Sequence, residues 1–305
     1  MHVLITGGTG LIGQRLCEAL IARGDAVTVL SRRPHQVPQI CGPQVKAIAH
    51  IDQIAEYDFD AVINLAGAPI VDAAWTETRK KELLASRVSL TRNLVEQLLR
   101  KARGPKVFIS GSAIGYYGNS NAVELSEATP SGNDFSAQLC RDWEAEAMRY
   151  ADQAQQQGQD VRVVLLRTGL VLDPRGGVLK KMLLPFRLGL GGKLGHGRQW
   201  MSWIHHVDYL QAVLRLLDDE ACSGPYNLVA PQPVSNATFT QCLAQVLRRP
   251  AIFSTPAFVL NSLLGERAVL LLEGAHIVPS KLLALRFRFQ FQDLNSALTQ
   301  IIHAE

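Results

Sequence analysis

The sequence predicts an α/β protein: a doubly wound parallel sheet of the Rossmann type, with a smaller C-terminal substrate lobe. Three observations carry this. Short apolar runs alternate with helical stretches through the first half of the chain. The first of those runs ends in a turn bearing Gly7, Gly8, Gly10 and Gly13. After residue 170 the alternation gives way to glycine clusters and mostly helical segments.

The elements follow in order. Residues 2–6 read as a strand, and residues 12–23 as a helix with Ile12, Leu16 and Leu20 at a spacing of four, stopped by Gly24. Residues 26–31 ("AVTVLS") form a second strand; "AVINLA" (61–66) and "KVFIS" (106–110) form two more, separated by a long helical stretch over about 78–102. A helix over about 134–157 precedes "VRVVLLRTG" (161–169). Strands that are apolar on both faces and alternate with helices imply a parallel sheet covered on both sides, and right-handed crossovers wind it doubly. Residues 1–170 are thus expected to form the cofactor domain, its sheet completed by parts of 200–230, and residues 171–305 mainly the substrate lobe. Within that lobe "LGLGGKLGHG" (188–197) reads as a long loop, "YNLV" (226–229) as one more strand, and 236–305 as mostly helical, with an alternating "RFRFQF" at 286–291.

Composition bounds the function. A net charge of +4 without a dense Lys/Arg run argues against nucleic acid as a partner. Cys17, Cys41, Cys140, Cys222 and Cys242 are scattered, with no CxxC and no histidine at metal spacing, so no metal site is expected and the thiols read as reduced, in a cytoplasmic protein. No basic leader precedes the first short apolar run, which argues against a signal peptide. The most membrane-like segment, 256–274, carries Glu266 and Arg267 at its middle, so no membrane partner is expected and a buried or partner-facing helix is the better reading. The expected partner is a small-molecule substrate, with a homodimer through the helices at 78–102 and 134–157 as a possibility.

Gly7, Gly10 and Gly13 form G-x-x-G-x-x-G between a strand and a helix. The first glycine admits a turn that a side chain would block, the second lets a pyrophosphate approach the backbone, and the third lets helix and strand pack closely. The phosphates would then face the free N–H groups at the helix N-terminus, with Thr9, Leu11 and Ile12 completing the loop. The second strand ends in Ser31, Arg32 and Arg33, where an NAD site usually has a carboxylate for the ribose 2′-hydroxyl. A guanidinium instead pairs with a 2′-phosphate, so the expected cofactor is NADP(H); two solvated arginines at a strand end are the alternative. Leu65, Ala66 and Gly67, at the end of the strand at 61–66, are candidate walls of the same cofactor site, although small residues there also serve tight packing.

"TGGTGLIG", "NLAGA", "SGSAIGYYG" and "WIHHVD" together resemble the extended short-chain dehydrogenase/reductase superfamily of nucleotide-sugar epimerases and dehydratases. "GRQWMSWIHHVD" (197–208) and the stretch 256–289 are similar, more narrowly, to its atypical epimerase-like branch with a distinct C-terminal region, and the resemblance runs over essentially the whole chain. It implies chemistry by a Ser or Thr, a Tyr, and a Lys four residues after the Tyr. On a helix such residues stack on one face, and the ammonium lowers the phenol from its ordinary pKa of about 10 so that it exchanges a proton near neutrality. None of the six tyrosines here has a lysine four residues on. Judged by Glu144, the two positions fall on Ser136 and Cys140; a register one residue later gives Ala137 and Arg141.

The Ser position falls on Ser112, or on Ala113 in one register, and Tyr116 and Tyr117 lie close enough in sequence to supply a phenol from another direction. By the same resemblance Arg198, Trp203 and His205 are substrate-side candidates: Arg198 for a diphosphate or carboxylate, Trp203 to cover a ring. Two functions follow. One is an NADP(H)-dependent oxidoreductase or epimerase acting on a nucleotide-sugar-like or other small polar substrate; the other is a catalytically degenerate NADP(H)-binding sensor or scaffold.

Overall fold

A computed structural model describes residues 1–303, with the backbone alone at 120–123; the last two residues of the expected 171–305 lobe lie outside it. Seven parallel strands make one sheet: β1 (His2–Thr6), β2 (Ala26–Leu30), β3 (Lys46–Ile48), β4 (Ala61–Asn64), β5 (Val107–Ala113), β6 (Arg162–Thr168) and β7 (Gly224–Leu228), in the order β7-β6-β5-β4-β1-β2-β3. The order reverses between β1 and β4, which is where an open α/β sheet leaves a crevice at its carboxyl edge.

The strands are apolar on both sides because both sides are covered. Val3, Ile5, Ile63, Ile109, Val164 and Leu166 pack on one face, against Leu16 and Leu20 of α1 (Leu11–Ala22) and Tyr209 and Leu216 of a later helix. The intervening Leu4, Val62, Phe108, Val163 and Leu165 pack on the other, against Leu94, Leu98 and Tyr150. The long helical stretch between β4 and β5 is one interrupted rod: α2 (Glu77–Leu84), a π-helical turn (Ala85–Ser89) and α3 (Leu90–Leu99). After it come α4 (Phe135–Gln156), α5 (Gly177–Arg187), α6 (His206–Asp218), α7 (Asn236–Leu247), α8 (Ala257–Leu264) and α9 (Leu294–His303).

A separate core of Leu179, Leu183, Phe186, Trp203, Phe239, Leu243, Leu298 and Ile301 holds the C-terminal lobe. Some details differ from the sequence expectation. Lys46–Ile48 adds an edge strand that three residues of mixed polarity do not announce, and the 188–197 loop contains a strand, Gly192–Leu194, which pairs with Phe253–Thr255. Arg15 of α1 and the buried Asp173 form an ion pair that ties the glycine-loop helix to the lobe. Burial alone would push Asp173 upward; its bonds to Arg15 and to the Arg175 N–H bring it below the usual carboxylate range.

Candidate active site

The glycine loop divides its work by position. Gly7 sits at φ +73°, and a Cβ there would lie 2.8 Å from the Leu65 carbonyl at the end of β4. A Cβ on Gly13 would lie 2.3 Å from the Gly7 oxygen and 2.6 Å from the Gly8 Cα, so α1 can seat itself on the loop only because Gly13 has none. Gly10 differs: its Cβ would meet only the Gly7 oxygen, at 3.2 Å, and the space beyond is open. It is also the N-cap of α1, with no side-chain cap and no acidic residue in the first turn. The exposed N–H groups and the helix dipole are therefore left for an anion.

The end of β2 adjoins that opening. Ser31 accepts a hydrogen bond from the Arg33 N–H at 3.1 Å, and Arg32 and Arg33 are exposed with no carboxylate partner among the described residues. On the β4 side a buried network positions the Leu65–Gly67 turn. Thr6 Oγ1 donates to Asn64 Oδ1 (2.6 Å) and accepts from the Ala66 N–H (3.1 Å); Asn64 Nδ2 and Trp143 Nε1 both donate to Thr91 Oγ1, at 2.8 and 3.0 Å. All the sequence-named cofactor residues thus lie at the carboxyl ends of β1, β2 and β4.

Arg87 was not among them. The π-helical turn carries it to Gly67, where a glycine Cβ would stand 2.8 Å from its Cζ, and its guanidinium lies over the Trp143 ring at 5.4 Å from the centroid. Burial pushes Arg87 below the usual arginine range, and no carboxylate faces it among the described residues. Arg87 donates to Ser86 Oγ at 3.3 Å, and a half-buried cation held by a hydroxyl and a ring has the chemistry to pair with an anion in this crevice. Its signal was in the sequence: Arg87 interrupts the buried stripe Leu83, Thr91, Leu94 and Leu98.

Ser112 is 5% exposed, and its Oγ donates to Glu144 Oε1 at 2.6 Å. Glu144 in turn holds Arg167 through two bonds of 2.9 Å, a buried fork-on-fork pair. With its proton on Glu144, Ser112 presents lone pairs to the cleft; in this arrangement it accepts from a substrate hydroxyl and does not polarise a carbonyl. Tyr117 is spent on the same network. It donates to Asn227 Oδ1 (2.6 Å), accepts from Arg167 (2.9 Å), and burial pushes its hydroxyl up to about 12. Tyr116 is the more accessible phenol, its ring 3.5 Å from the Arg167 guanidinium carbon.

On α4, Ser136 and Cys140 face this loop: the Ser136 Cβ approaches Gly115, and Cys140 adjoins Ser112 and Ala113. Burial pushes the Cys140 thiol up to about 11, so it is neutral at physiological pH.

The substrate-side residues do not converge on the cleft. Trp203 is fully buried in the lobe core and donates to the Gln232 carbonyl at 3.1 Å. His205 is also fully buried. Its Nδ1 accepts from the Val207 N–H as the N-cap of α6, its Nε2 lies 2.9 Å from Gln300 Oε1, and its ring packs on Phe291. Both are framework residues in this structure. Arg198 is exposed on the loop before them.

Burial, with the neighbouring His206, lowers the His205 pKa from 6.5 to about 4, so the folded state binds the neutral ring. The unfolded chain then takes up more protons, and stability should fall as pH drops from about 6.5 toward 4, by up to roughly 2–3 kcal/mol. His205→Asn, which retains a capping side chain, should flatten this part of the stability profile followed by chemical denaturation. An unchanged slope would show that other groups set it.

A seven-stranded Rossmann sheet with a glycine-lined, anion-ready crevice and a serine at the carboxyl end of β5 defines a dinucleotide-binding protein of the short-chain dehydrogenase/reductase type. The chain belongs to the NAD dependent epimerase/dehydratase family, whose profile matches residues 3–228, and residues 255–301 match a domain of unknown function, DUF1731. It is 38% identical over 306 residues to mouse epimerase family protein SDR39U1, covering 99% of this chain and all of that one. The Arabidopsis thaliana chloroplastic homologue is 37% identical, covering 99% of this chain and 87% of its own. The structure of human SDR39U1 (isoform 2) with NADPH superposes with a TM-score of 0.90 at 36% identity, covering both chains completely. A nucleoside-diphosphate sugar epimerase from Corynebacterium glutamicum superposes at 0.76 with 30% identity, over all of this chain and 59% of that one.

Proposed function

We propose that this protein is an NADP(H)-dependent oxidoreductase or epimerase-like enzyme acting on a nucleotide-sugar-like or other small polar substrate. The observation that carries the reading is the pairing of an uncapped helix N-terminus with Arg32 and Arg33, two arginines that no carboxylate engages among the described residues. The NADPH in the human SDR39U1 structure supports it from outside. Gly7, Gly10 and Gly13 would admit the pyrophosphate, Ser31, Arg32 and Arg33 the 2′-phosphate, and Leu65, Ala66, Gly67 and Arg87 the wall opposite.

Bound there, the nicotinamide supplies hydride chemistry. The chain's part is to orient the substrate oxygen on Ser112, whose hydroxyl Glu144 holds, and to move a proton through Tyr116 or water, with Arg167 as the fixed positive charge beside that phenol. The nucleotide-sugar class rests on the superfamily and on the Corynebacterium glutamicum structure. The free thiols of the described residues are in keeping with a reducing compartment such as the cytoplasm.

One observation favours the second reading, a cofactor-binding sensor or scaffold without turnover. Judged by Glu144 the Tyr and Lys positions fall on Ser136 and Cys140, or one residue later on Ala137 and Arg141; neither register supplies a phenol, and a neutral thiol does not replace an ammonium. Titration calorimetry with NADPH and NADH tests the common part. NADPH should bind the tighter, and Arg32→Ala/Arg33→Ala should weaken NADPH by roughly ten- to hundredfold while leaving NADH nearly unchanged. Equal loss for both cofactors would end the arginine argument. Oxidation of NADPH across a panel of nucleotide sugars and carbonyl compounds then separates the two readings: turnover on any of them excludes the sensor.

A further inference from the structure

Residues 174–207 and 221–265 contain no Asp or Glu, yet carry eight Lys and Arg. The fold brings these segments together: Gly192–Leu194 pairs with Phe253–Thr255, and Gly189 lies against Pro250. Along this seam Leu184, Leu188, Leu190, Ile252 and Phe253 stand out into solvent, with Ile252 80% exposed, while their neighbours Leu183 and Phe186 are buried in the lobe core. Phe258 of α8 is 73% exposed and follows in the same chain segment.

Lys193, Arg248 and Arg249 are exposed and without carboxylate partners among the described residues. Arg248 and Arg249 line a groove of about 340 Å³ with Gln241 and Gln245, next in sequence to Ile252. Large apolar side chains protrude here from a helix end and a parallel strand pair, beside cations of which Lys181 meets Asp72 and Arg175 meets Glu18, and such exposure is uncommon for an isolated protein.

We propose that this face of the C-terminal lobe docks on an anionic lipid surface. Leu184, Leu188, Leu190, Ile252 and Phe253 enter the headgroup region, and Lys193, Arg248 and Arg249 meet lipid phosphates and carboxylates. Charge complementarity selects this occupant. In a twofold dimer a second copy would meet this face with the same face, setting Lys193, Arg248 and Arg249 against their own kind. The large apolar side chains protrude beside the Arg248–Arg249 groove and do not line it, and a lipid interface accepts such separate protrusions without shape complementarity. The sequence expectation of no membrane partner rested on the cost of crossing a bilayer, and this docking departs from it only in placing the protein on the surface. Among the described residues no helix is long and apolar enough to cross a membrane, and lying on the surface requires none.

Cosedimentation of the full chain with two vesicle preparations tests this, one of phosphatidylcholine alone and one of phosphatidylcholine mixed with phosphatidylserine. The protein should pellet with the mixed vesicles only, and less as salt is raised. Arg249→Glu should weaken the association roughly five- to thirtyfold. Leu188→Ser/Ile252→Ser should abolish it. Both variants change exposed residues and should keep the parent's melting temperature and NADPH titration, which shows that they remain folded.

Failure to bind the mixed vesicles, equal binding to both preparations, or full binding by the variants overturns the proposal. A concentration-dependent dimer in sedimentation velocity that Ile252→Ser dissolves would assign the face to a second copy. Displacement from vesicles by polyglutamate, with retention on immobilised polyglutamate that needs Leu188 and Ile252, would assign it to an acidic protein. Either result overturns it as well.

Discussion

Gly13→Ala should cost this protein at least about a hundredfold in NADPH affinity, about 2.7 kcal/mol, together with a lower melting temperature. The new Cβ would stand 2.3 Å from the Gly7 oxygen and 2.6 Å from the Gly8 Cα, both backbone atoms. Backbone cannot swing aside as a flexible side chain does, so α1 has to lift away from β1, taking its N-terminal N–H groups with it.

Gly10→Ala is the instructive contrast. Its Cβ would meet only one oxygen at 3.2 Å, so the unliganded protein should melt within about a degree of the parent, near the limit for a substitution with little folded-state effect. The methyl would nevertheless project where a pyrophosphate approaches, and NADPH affinity should fall. Calorimetry beside differential scanning thus separates a glycine needed for packing from one needed for the ligand. A Gly13→Ala protein that binds NADPH within threefold of the parent would remove the loop from the cofactor site.

The glycine loop and the sheet were legible in the sequence because their causes are local. Strand alternation, a helix stop at Gly24 and glycine spacing act within a few residues, and an arginine pair at a strand end is visible without knowing its neighbours. What escaped depended on distant partners or on broken periodicity. Arg87 lies on a helix whose π-helical turn has no sequence signature, so only its intrusion on an apolar stripe marked it.

Trp203 and His205 came from a motif that identifies a lineage, whereas burial decides what a side chain can touch. The backbone N–H of Val207 and the side chain of Gln300 claim both nitrogens of His205. Glu144 entered the sequence argument only as a register mark, because its partner Arg167 lies in the next strand of the sheet.

That pair sets the second large effect. Arg167→Met should destabilise the protein by about 3–5 kcal/mol, because it leaves a carboxylate that is 7% exposed without its cation and takes a donor from Tyr117. Burial alone would lower the Arg167 pKa, but the two bonds to Glu144 raise it above the ordinary arginine value, so Arg167 keeps its charge throughout the pH range in which the protein folds. Arg167→Lys should recover only part of the loss: an ammonium supplies charge but cannot make two parallel bonds, and it cannot also reach Tyr117 in the same geometry.

Arg167→Met/Glu144→Leu should be more stable than Arg167→Met alone, since removing both charges leaves no orphan. Urea denaturation of the parent, Arg167→Met, Glu144→Leu and the double variant closes the cycle. The double variant carries a functional consequence too: with Glu144 gone, the Ser112 hydroxyl is released to donate toward the cleft, so NADPH binding should persist while any turnover changes. If Arg167→Met unfolds within about 1 kcal/mol of the parent, the fork is an ordinary surface-strength contact and cannot be what orients Ser112.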